Sequence, residues 1–335
     1  MMEEISCIVC DHAVKVTIEN LVGYQEGQDF KISHCLACDT SFAWPHLVED
    51  RIYDYIYSQM KIVPGYNRYA IYAEEVVNCE TPLDYLANKE ANYFAIREIV
   101  TKNRDKTIKI LEVGSGLGYL TYAIKQQGYN IIGLDISSDA IRKAKRQFGD
   151  YYVCSDVYSF SSNNPGEFDM VIITEVIEHV SDPKTFCKML VNLLKVGGKL
   201  VATTPNKSAF PREENWATEL PPIHLTWFSE TSFKSIARQL NLTLSFFDYS
   251  AFNKKHVDVS RVRFYKIFYK KEIPVSVLDK MGKVISPITR STDNVLTKLK
   301  SIFKHLIKPI FILLLTNKKN LSRNSMLCVI LQKNS

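Results

Sequence analysis

The sequence lacks any hydrophobic run long enough to span a membrane. Its longest late apolar run, PIFILLLT at residues 309–316, falls far short of the roughly 20 residues that a bilayer-spanning helix requires. The first residues, MMEEISCIVC, are acidic and lack the long apolar stretch of a secretory signal peptide. We therefore expect a cytoplasmic protein whose thiols stay reduced.

The composition is typical of a soluble globular protein. Hydrophobic residues make up 46% of the chain and charged residues 23%, which is close to the average for globular domains. A chain of 335 residues is long enough for one large domain with attachments, or for two domains.

Charge is unevenly distributed along the chain. Residues 250–324 contain 17 lysine and arginine residues against four acidic residues, although the whole chain has a net charge of only +6. The rest of the chain is therefore net acidic. A polyanion or an anionic membrane would meet the basic segment first, whereas a solvated helical face would explain the same charges.

Four of the eight cysteines form two closely spaced pairs. Cys7 and Cys10 make one CxxC pair, and Cys35 and Cys38 make a second pair after a gap of 24 residues. Two such pairs have the spacing of a structural four-cysteine zinc site, whereas a redox-active pair needs only one CxxC. Four sulfur ligands leave no open coordination position, so we expect structural zinc. The other cysteines are predicted to be packing residues: Cys79, Cys154, Cys187 and Cys328.

From residue 107 onward, short apolar runs alternate with segments of helical spacing. Five strands are predicted from the runs TIKILEV, YNIIGLDIS, DYYVCSDV, FDMVIITE and KLVATTPN, and three helices from TYAIKQQG, SDAIRKAKRQFG and DPKTFCKMLVNLLKVGG. We expect Ser138 or Asp139 to cap one helix, and the glycine pair in LLKVGG to end another. This alternation predicts an α/β fold, in which helices cover both faces of a parallel sheet.

Acidic residues follow the predicted strands at the points where they end. They are Glu112, Asp135, Asp156 and Glu175. Ligands of open α/β sheets bind at the carboxyl ends of the strands, so these side chains predict a binding site along that edge.

A glycine-rich turn follows the first of these strands. Gly114, Gly116 and Gly118 form GxGxG, and Tyr119 occupies the position where the dinucleotide pattern GxGxxG has its last glycine, so that pattern is not met. Asp135 comes 17 residues after Gly118, where a carboxylate can accept both hydroxyls of a ribose. The pattern indicates a nucleoside cofactor. An NAD enzyme, or a fold that binds nothing, remains an alternative.

Four segments together resemble the successive motifs of class I S-adenosylmethionine-dependent methyltransferases. They are ILEVGSGLGYL, GLDIS, CSDV and FDMVIITEVIEHVSDP. The resemblance covers about residues 90–250 and a last strand. It implies a Rossmann-like seven-stranded sheet whose last strand, SMLCVILQKN, inserts antiparallel beside a sixth, LTLSFFDYS. The implied cofactor residues are Glu112 at the amino group, Gly114, Gly116 and Gly118 along the methionine part, Asp135 at the ribose, Asp156 at the adenine amine, and Glu175 at the strand end.

The N-terminal part resembles bacterial methyltransferases encoded with surface-glycan and sugar-nucleotide genes, which carry similar cysteine pairs before a tyrosine-rich connector. The resemblance implies a zinc ribbon at residues 1–45 and helices at 46–105 that lie over the cofactor, with Tyr66 or Tyr69 as contacts. The methyltransferase domain then takes residues 106–250 and 325–335, and residues 251–324 form a basic helical insertion.

The segment TEVIEH places Glu175, Glu178 and His179 in one turn, and His224 follows on a later loop. A histidine suits the removal of a proton from an acceptor hydroxyl. The same four residues are similar to the ExxEH…H arrangement of methyltransferases that hold Mg²⁺, Mn²⁺ or Zn²⁺ against vicinal hydroxyls, as in small-RNA 2′-O-methyltransferases and ubiquinone-type O-methyltransferases. Catalytic base, metal ligands and a structural role all remain open.

The resemblance implies an S-adenosylmethionine-dependent enzyme that methylates a hydroxyl of a sugar, a glycan precursor or a related small molecule. RNA 2′-O-methylation and a non-catalytic cofactor-binding subunit are the alternatives. Within the insertion, NVLTKLKSIFKHLIKP predicts a basic amphipathic helix. It could serve as a lid, a homodimer contact or a peripheral membrane contact. Nucleic acid is a further candidate, but no recognised RNA-binding signature accompanies the helix.

Overall fold

A computed structural model describes residues 5–209, 220–256, 275–285 and 322–335 of the chain. Within these ranges, no helix combines the length and apolar character needed to cross a bilayer. The predicted amphipathic helix of the basic insertion lies outside the described residues, so its proposed contacts stay predictions.

A small antiparallel sheet forms the N-terminal part. It contains β1 (Lys15–Val22), β2 (Asp29–His34) and β3 (Ser41–Trp44), joined at its edge by β9 (Thr226–Trp227) in the order β1-β2-β3-β9. We call this four-stranded sheet the ribbon sheet. Strand β9, which has two residues and lies far along the chain from its neighbour β3, was not predicted from the sequence.

Four α-helices connect the ribbon sheet to the larger sheet. They are α1 (Asp50–Ser58), α2 (Asn67–Glu75), α3 (Pro82–Lys89) and α4 (Ala91–Lys102). Ile52 and Ile56 lie one turn apart on α1 and are buried against the ribbon sheet. Leu83 of α3 and Ile96 of α4 are buried in a second cluster, against the larger sheet.

The larger sheet has seven strands in the order β10-β11-β8-β7-β4-β5-β6. The strands are β4 (Lys109–Val113), β5 (Asn130–Asp135), β6 (Tyr152–Cys154), β7 (Phe168–Thr174), β8 (Leu194–Pro205), β10 (Leu242–Phe246) and β11 (Met326–Lys333). Strands β4 to β8 pair in parallel, and β11 lies antiparallel between β8 and β10. This arrangement confirms the predicted α/β fold and its antiparallel last strand.

Helices cover both faces of this sheet. They are α5 (Tyr119–Gln126), α6 (Ser138–Phe148), α7 (Val157–Asn163), α8 (Pro183–Leu193), α9 (Glu230–Gln239) and α10 (Ser250–Lys255). Side chains of β7 alternate between two cores: Val171 packs with α8 and α9, whereas Ile172 packs with α3, α4 and α5. Because both faces are buried, the strands are almost continuously apolar.

Two predicted boundaries were wrong. Ser137, not Ser138 or Asp139, caps α6, because its Oγ accepts from the backbone N–H of Ala140 at 3.2 Å. Helix α8 ends at Leu193 and not at the glycine pair, which lies within β8. The β7–β8 register shifts there, so the glycines belong to a bulge in the strand rather than to a helix stop.

Candidate functional site

The glycine turn between β4 and α5 admits no side chains at two of its positions. Gly118 has φ +82°, and a Cβ there would lie 2.7 Å from the ring of Tyr152. Gly114 has φ +77°, and a Cβ there would lie 2.5 Å from Val176. The positive φ values and the close neighbours both require glycine. Val176 therefore brings the segment after β7 directly against this turn.

Asp135 ties the glycine turn to the end of β5. One carboxylate oxygen accepts from the backbone N–H of Gly116 at 2.7 Å, and the other accepts from that of Ser137 at 2.8 Å. The side chain is buried, and burial raises the pKa of Asp135 despite these hydrogen bonds. Each oxygen keeps a second lone pair, so Asp135 could still accept hydrogen bonds from a ribose.

Glu112 lies beneath the same turn and is only 3% exposed. Thr121 of α5 donates a hydrogen bond to its carboxylate. Burial raises the pKa of Glu112 to about 8, with a further contribution from Asp135. The side chain is therefore mostly protonated at neutral pH, and it connects β4 with the first turn of α5.

Asp156 follows β6 and caps α7, because its Oδ1 accepts from the backbone N–H of Ser159 at 2.9 Å. This hydrogen bond lowers the pKa of Asp156, so the group is ionised. Ile136 lies directly after Asp135 and is 75% exposed. Ile136 was not predicted from the sequence. An apolar residue directly after a strand-end carboxylate is the local feature that could have indicated it. It offers an apolar surface to a flat base.

Glu175 ends β7 in a left-handed conformation with φ +55°. Its Oε2 accepts hydrogen bonds from the Tyr69 hydroxyl at 3.0 Å and from the Asn92 side chain at 2.9 Å. Arg68 lies 3.5 Å from Oε1 and also pairs with Glu90 at 2.9 Å. Burial raises the pKa of Glu175, and Arg68 opposes this rise.

Arg68 and Asn92 were not singled out from the sequence. Both lie in the connector helices, and nothing in their local pattern distinguishes them from surface polar residues. The structure brings Arg68 and Tyr69 from α2, and Asn92 from α4, to the carboxyl end of β7. Carboxylate and guanidinium groups side by side suit the zwitterionic end of an amino acid.

Glu178, His179 and His224 come together, with one ligand atom from each within 4.8 Å of the others. Glu175 is not part of this cluster, so three of the four residues predicted to act together are adjacent. Glu178 is 1% exposed and accepts a hydrogen bond from the Thr204 hydroxyl at 3.0 Å. The two imidazole rings meet edge-to-face at 4.6 Å.

The protonation state of His179 follows from its environment. Its Nδ1 lies 2.7 Å from the carbonyl oxygen of Ile223, a distance at which Nδ1–H donates. This tautomer leaves the lone pair on Nε2, where it can accept a proton or bind a metal. Burial lowers the pKa of His179 to about 4 and that of His224 well below its usual value. His179 is therefore neutral at physiological pH.

The ribbon sheet holds the loop that carries His224. The backbone N–H of Ala43 on β3 donates to Leu225 O at 2.9 Å, and the N–H of Leu225 donates to Glu178 O at 2.9 Å. Thr226 pairs with Phe42 in the β3–β9 ladder. A continuous backbone network thus runs from the N-terminal strands to two members of the cluster.

The four cysteines of the two CxxC pairs also come together. Their sulfur atoms all lie within 4.8 Å of one another, with Cys7–Cys38 at 3.5 Å and Cys10–Cys35 at 3.4 Å. Zn–S bonds of 2.3 Å place tetrahedral sulfurs about 3.8 Å apart. The thiols are free rather than paired in disulfides. These four side chains therefore fit a structural zinc ion.

Comparison with known proteins gives the class of the central domain. Residues 85–245 match the family described as methyltransferase domain. This part of the chain is similar to methyltransferase domains. The match agrees with the predicted class of enzyme and spans β4 to β10, which include the glycine turn and the Glu178, His179 and His224 cluster.

Curated relatives share part of this domain. A ubiquinone biosynthesis O-methyltransferase of Idiomarina loihiensis is 33% identical over 107 residues, which cover 30% of this chain and 43% of the relative. The enzyme of that name from Thiobacillus denitrificans is 32% identical over 126 residues, covering 36% and 54%. The chain thus spans about half the length of these relatives.

Solved structures of methyltransferases resemble the chain only distantly. A methyltransferase dependent on S-adenosylmethionine from Archaeoglobus fulgidus has a TM-score of 0.44 and 16% identity, covering 73% of this chain and 94% of its own. A phosphoethanolamine N-methyltransferase from Haemonchus contortus has a TM-score of 0.47 and 15% identity, covering 88% and 63%. Likenesses of this size carry no argument about substrate.

Proposed function

We propose that this protein transfers a methyl group from S-adenosylmethionine to a hydroxyl group of a small molecule. The observation that carries the proposal is the cluster of buried Glu178 with the partly buried His179 and His224. Glu178 and His179 come shortly after Val176, which packs on the glycine turn. The methyltransferase domain match and the O-methyltransferase names of the curated relatives support it.

The residues along the sheet edge fit the cofactor. The glycine turn lets the backbone approach a ligand, Asp135 offers lone pairs to the ribose, and Ile136 and Asp156 flank the space for the base. Glu175 and Arg68 suit the amino-acid end. When bound, S-adenosylmethionine supplies a methyl group on a sulfonium sulfur, and the thioether that remains is a good leaving group.

His179 can accept the proton of the acceptor hydroxyl at Nε2. The hydrogen bond from Nδ1 to Ile223 O fixes the ring and its tautomer. In the proposed reaction, a bond would form between the acceptor oxygen and the methyl group as the bond between that methyl group and the sulfonium sulfur breaks. The hydroxyl proton passes to Nε2, and the second product is S-adenosylhomocysteine. The chain mainly positions the hydroxyl and removes its proton.

A divalent ion is a second candidate at this cluster. Three potential ligand atoms from Glu178, His179 and His224 lie within 4.8 Å of one another, a mixed oxygen and nitrogen set that suits Mg²⁺, Mn²⁺ or Zn²⁺. An ion there would acidify the acceptor hydroxyl. Glu175 would have to leave its contacts with Tyr69 and Asn92 to join the set.

For the acceptor, we propose a sugar, a glycan precursor or a related small molecule. The cysteine pairs and tyrosine-rich connector support this choice, because they resemble those of glycan-associated methyltransferases. The names of the curated relatives instead favour a ubiquinone precursor for those proteins. RNA 2′-O-methylation and a non-catalytic subunit remain as alternatives, and the latter would bind the cofactor without turnover.

Two experiments test the proposal. Calorimetry should detect binding of S-adenosylmethionine and S-adenosylhomocysteine, and the absence of heat with folded protein would contradict a cofactor site. Transfer of labelled methyl groups should then fall at least a hundredfold in His179→Asn, whereas the exposed control Glu167→Gln should match the native protein. Glu178→Gln separates the two mechanisms: recovery with excess Mn²⁺ favours an ion, and full native activity in EDTA excludes one.

A further inference from the structure

One face of α1 spans the distance from the glycine turn to the histidine pair. Tyr53 and Tyr57 lie one helical turn apart. The Tyr57 hydroxyl lies 3.9 Å from the position that a Cβ on Gly116 would take, and the Tyr53 ring meets His179 edge-on at 6.1 Å. An acceptor hydroxyl must lie between the cofactor and the proton acceptor, so α1 covers that space.

The ribbon sheet packs behind this face of α1 and contributes two buried polar groups. Tyr24, just after β1, is 1% exposed, and Trp227 on β9 is 6% exposed. Both belong to one apolar cluster with Tyr53 and Tyr66. Within the described ranges, neither the Tyr24 hydroxyl nor the Trp227 indole N–H has a hydrogen-bond partner.

Buried donors without partners are rare in folded proteins, and they usually indicate a bound water or ligand. Here two such donors share one cluster, and Trp227 is held in place by its pairing with Ser41 in the β3–β9 ladder. Tyr24 N–H donates to Pro221 O at 2.7 Å, and the Tyr53 hydroxyl donates to Ile223 O at 3.1 Å. The loop of residues 220–228 therefore fixes both the donors and His224.

The phenol groups of Tyr24, Tyr53 and Tyr66 pack in one apolar cluster. Burial raises the pKa of Tyr66 well above its usual value, and Tyr53, Tyr24 and Tyr57 raise it further. Phenol hydroxyls and an indole N–H are neutral groups on flat apolar rings. They suit a ligand that has both an apolar ring face and several hydroxyls.

We infer that Tyr24 and Trp227 of the ribbon sheet, with Tyr53 and Tyr66, form the acceptor subsite, and that it binds an uncharged polyhydroxylated ring of the sugar class. This inference rests on the proposed methyl transfer. A site built to hydrogen-bond substrate hydroxyls rejects analogues that lack them. The ribbon sheet thereby contributes directly to acceptor binding in addition to holding the zinc ligands.

The variants Tyr24→Phe and Trp227→Phe test this subsite, with Tyr129→Phe as the matched control. The Tyr129 hydroxyl is buried far along the sheet and donates to Val100 O at 2.9 Å. If the Tyr24 hydroxyl serves a ligand, Tyr24→Phe should leave the urea midpoint unchanged or raise it, because no internal hydrogen bond is lost. Tyr129→Phe should lower the midpoint. A lower midpoint in Tyr24→Phe would overturn the inference.

Acceptor kinetics provide the second readout, with methyl hexosides, UDP-hexoses and catechol as probes. We expect methyl transfer to a hexose probe, with KM for that probe at least tenfold higher in Tyr24→Phe and Trp227→Phe, and with unchanged affinity for S-adenosylmethionine. The inference is overturned if the protein methylates catechol but no hexose probe. It is also overturned if protein that binds the cofactor methylates none of the probes. Failure to bind the cofactor would instead refute the proposed function itself.

Discussion

Glu112 should make the stability of this protein fall as pH rises, and Glu112→Gln should remove that dependence. In the folded chain, burial raises the pKa of Glu112 from 4.5 to about 8. The folded state therefore holds a proton that the unfolded state releases above pH 4.5. Because the folded state binds more protons, the free energy of unfolding decreases between pH 4.5 and pH 8.

The size of the effect follows from the two pKa values. Raising the pH from 5 to 8 should cost the native protein about 3 kcal/mol through Glu112 alone. Glutamine does not ionise, and its side-chain oxygen can still accept the hydrogen bond from Thr121. Glu112→Gln should therefore gain about 3 kcal/mol relative to the native protein across this range.

Urea unfolding at several pH values between 5 and 8 measures this difference. The exposed control Glu26→Gln should follow the native curve. If the native protein and Glu112→Gln lose stability in parallel, Glu112 is not a buried acid with a raised pKa. The same variant should bind S-adenosylmethionine more weakly, because an ammonium group bound beside Glu112 would lower the pKa of that carboxyl and pair with the resulting carboxylate, which glutamine cannot provide.

Three further predictions concern the four-cysteine site, the glycine turn and Asp135. Native protein should contain one zinc ion per chain, and its removal by a chelator should lower the urea midpoint; a metal assay that finds no zinc contradicts this. Gly118→Ala should cost about 2–4 kcal/mol in a thermal melt, since its φ and the Tyr152 ring both oppose a Cβ. Asp135→Asn should weaken cofactor binding about tenfold or more by calorimetry, because an amide nitrogen would face Gly116 or Ser137 N–H. Unchanged affinity would show that this carboxylate is dispensable.

The four cysteines of the two CxxC pairs show where local spacing is sufficient. The two CxxC pairs identified all four cysteines without a structure, because each pair is a local motif and the sequence context implied reduced thiols. The structure then placed their sulfur atoms within 4.8 Å of one another. The sequence could not show that the same segment pairs with β9, since residues 226–227 are too short a run to predict a strand.

The connector shows the opposite case. The family resemblance implies Tyr66 or Tyr69 as a cofactor contact, and this stays a prediction. In the structure, the Tyr69 hydroxyl donates a hydrogen bond to Glu175 at the strand end. Arg68, the neighbour of Tyr69, was not named, although it pairs with both Glu175 and Glu90. A surface arginine and a half-buried one look alike in sequence, because the difference lies in partners that are distant along the chain.

The sequence by itself determined the chain order of the parallel strands of the larger sheet, the glycine turn and the strand-end carboxylates. These features depend on side-chain periodicity and on backbone conformations that few residues adopt, so they are readable over short windows. Only the tertiary structure decided which ionisable residues act together. It separated Glu175 from Glu178 and joined Glu178 to His179 and His224. Such contacts depend on strand pairing and loop paths across the whole fold, which short-range patterns do not specify.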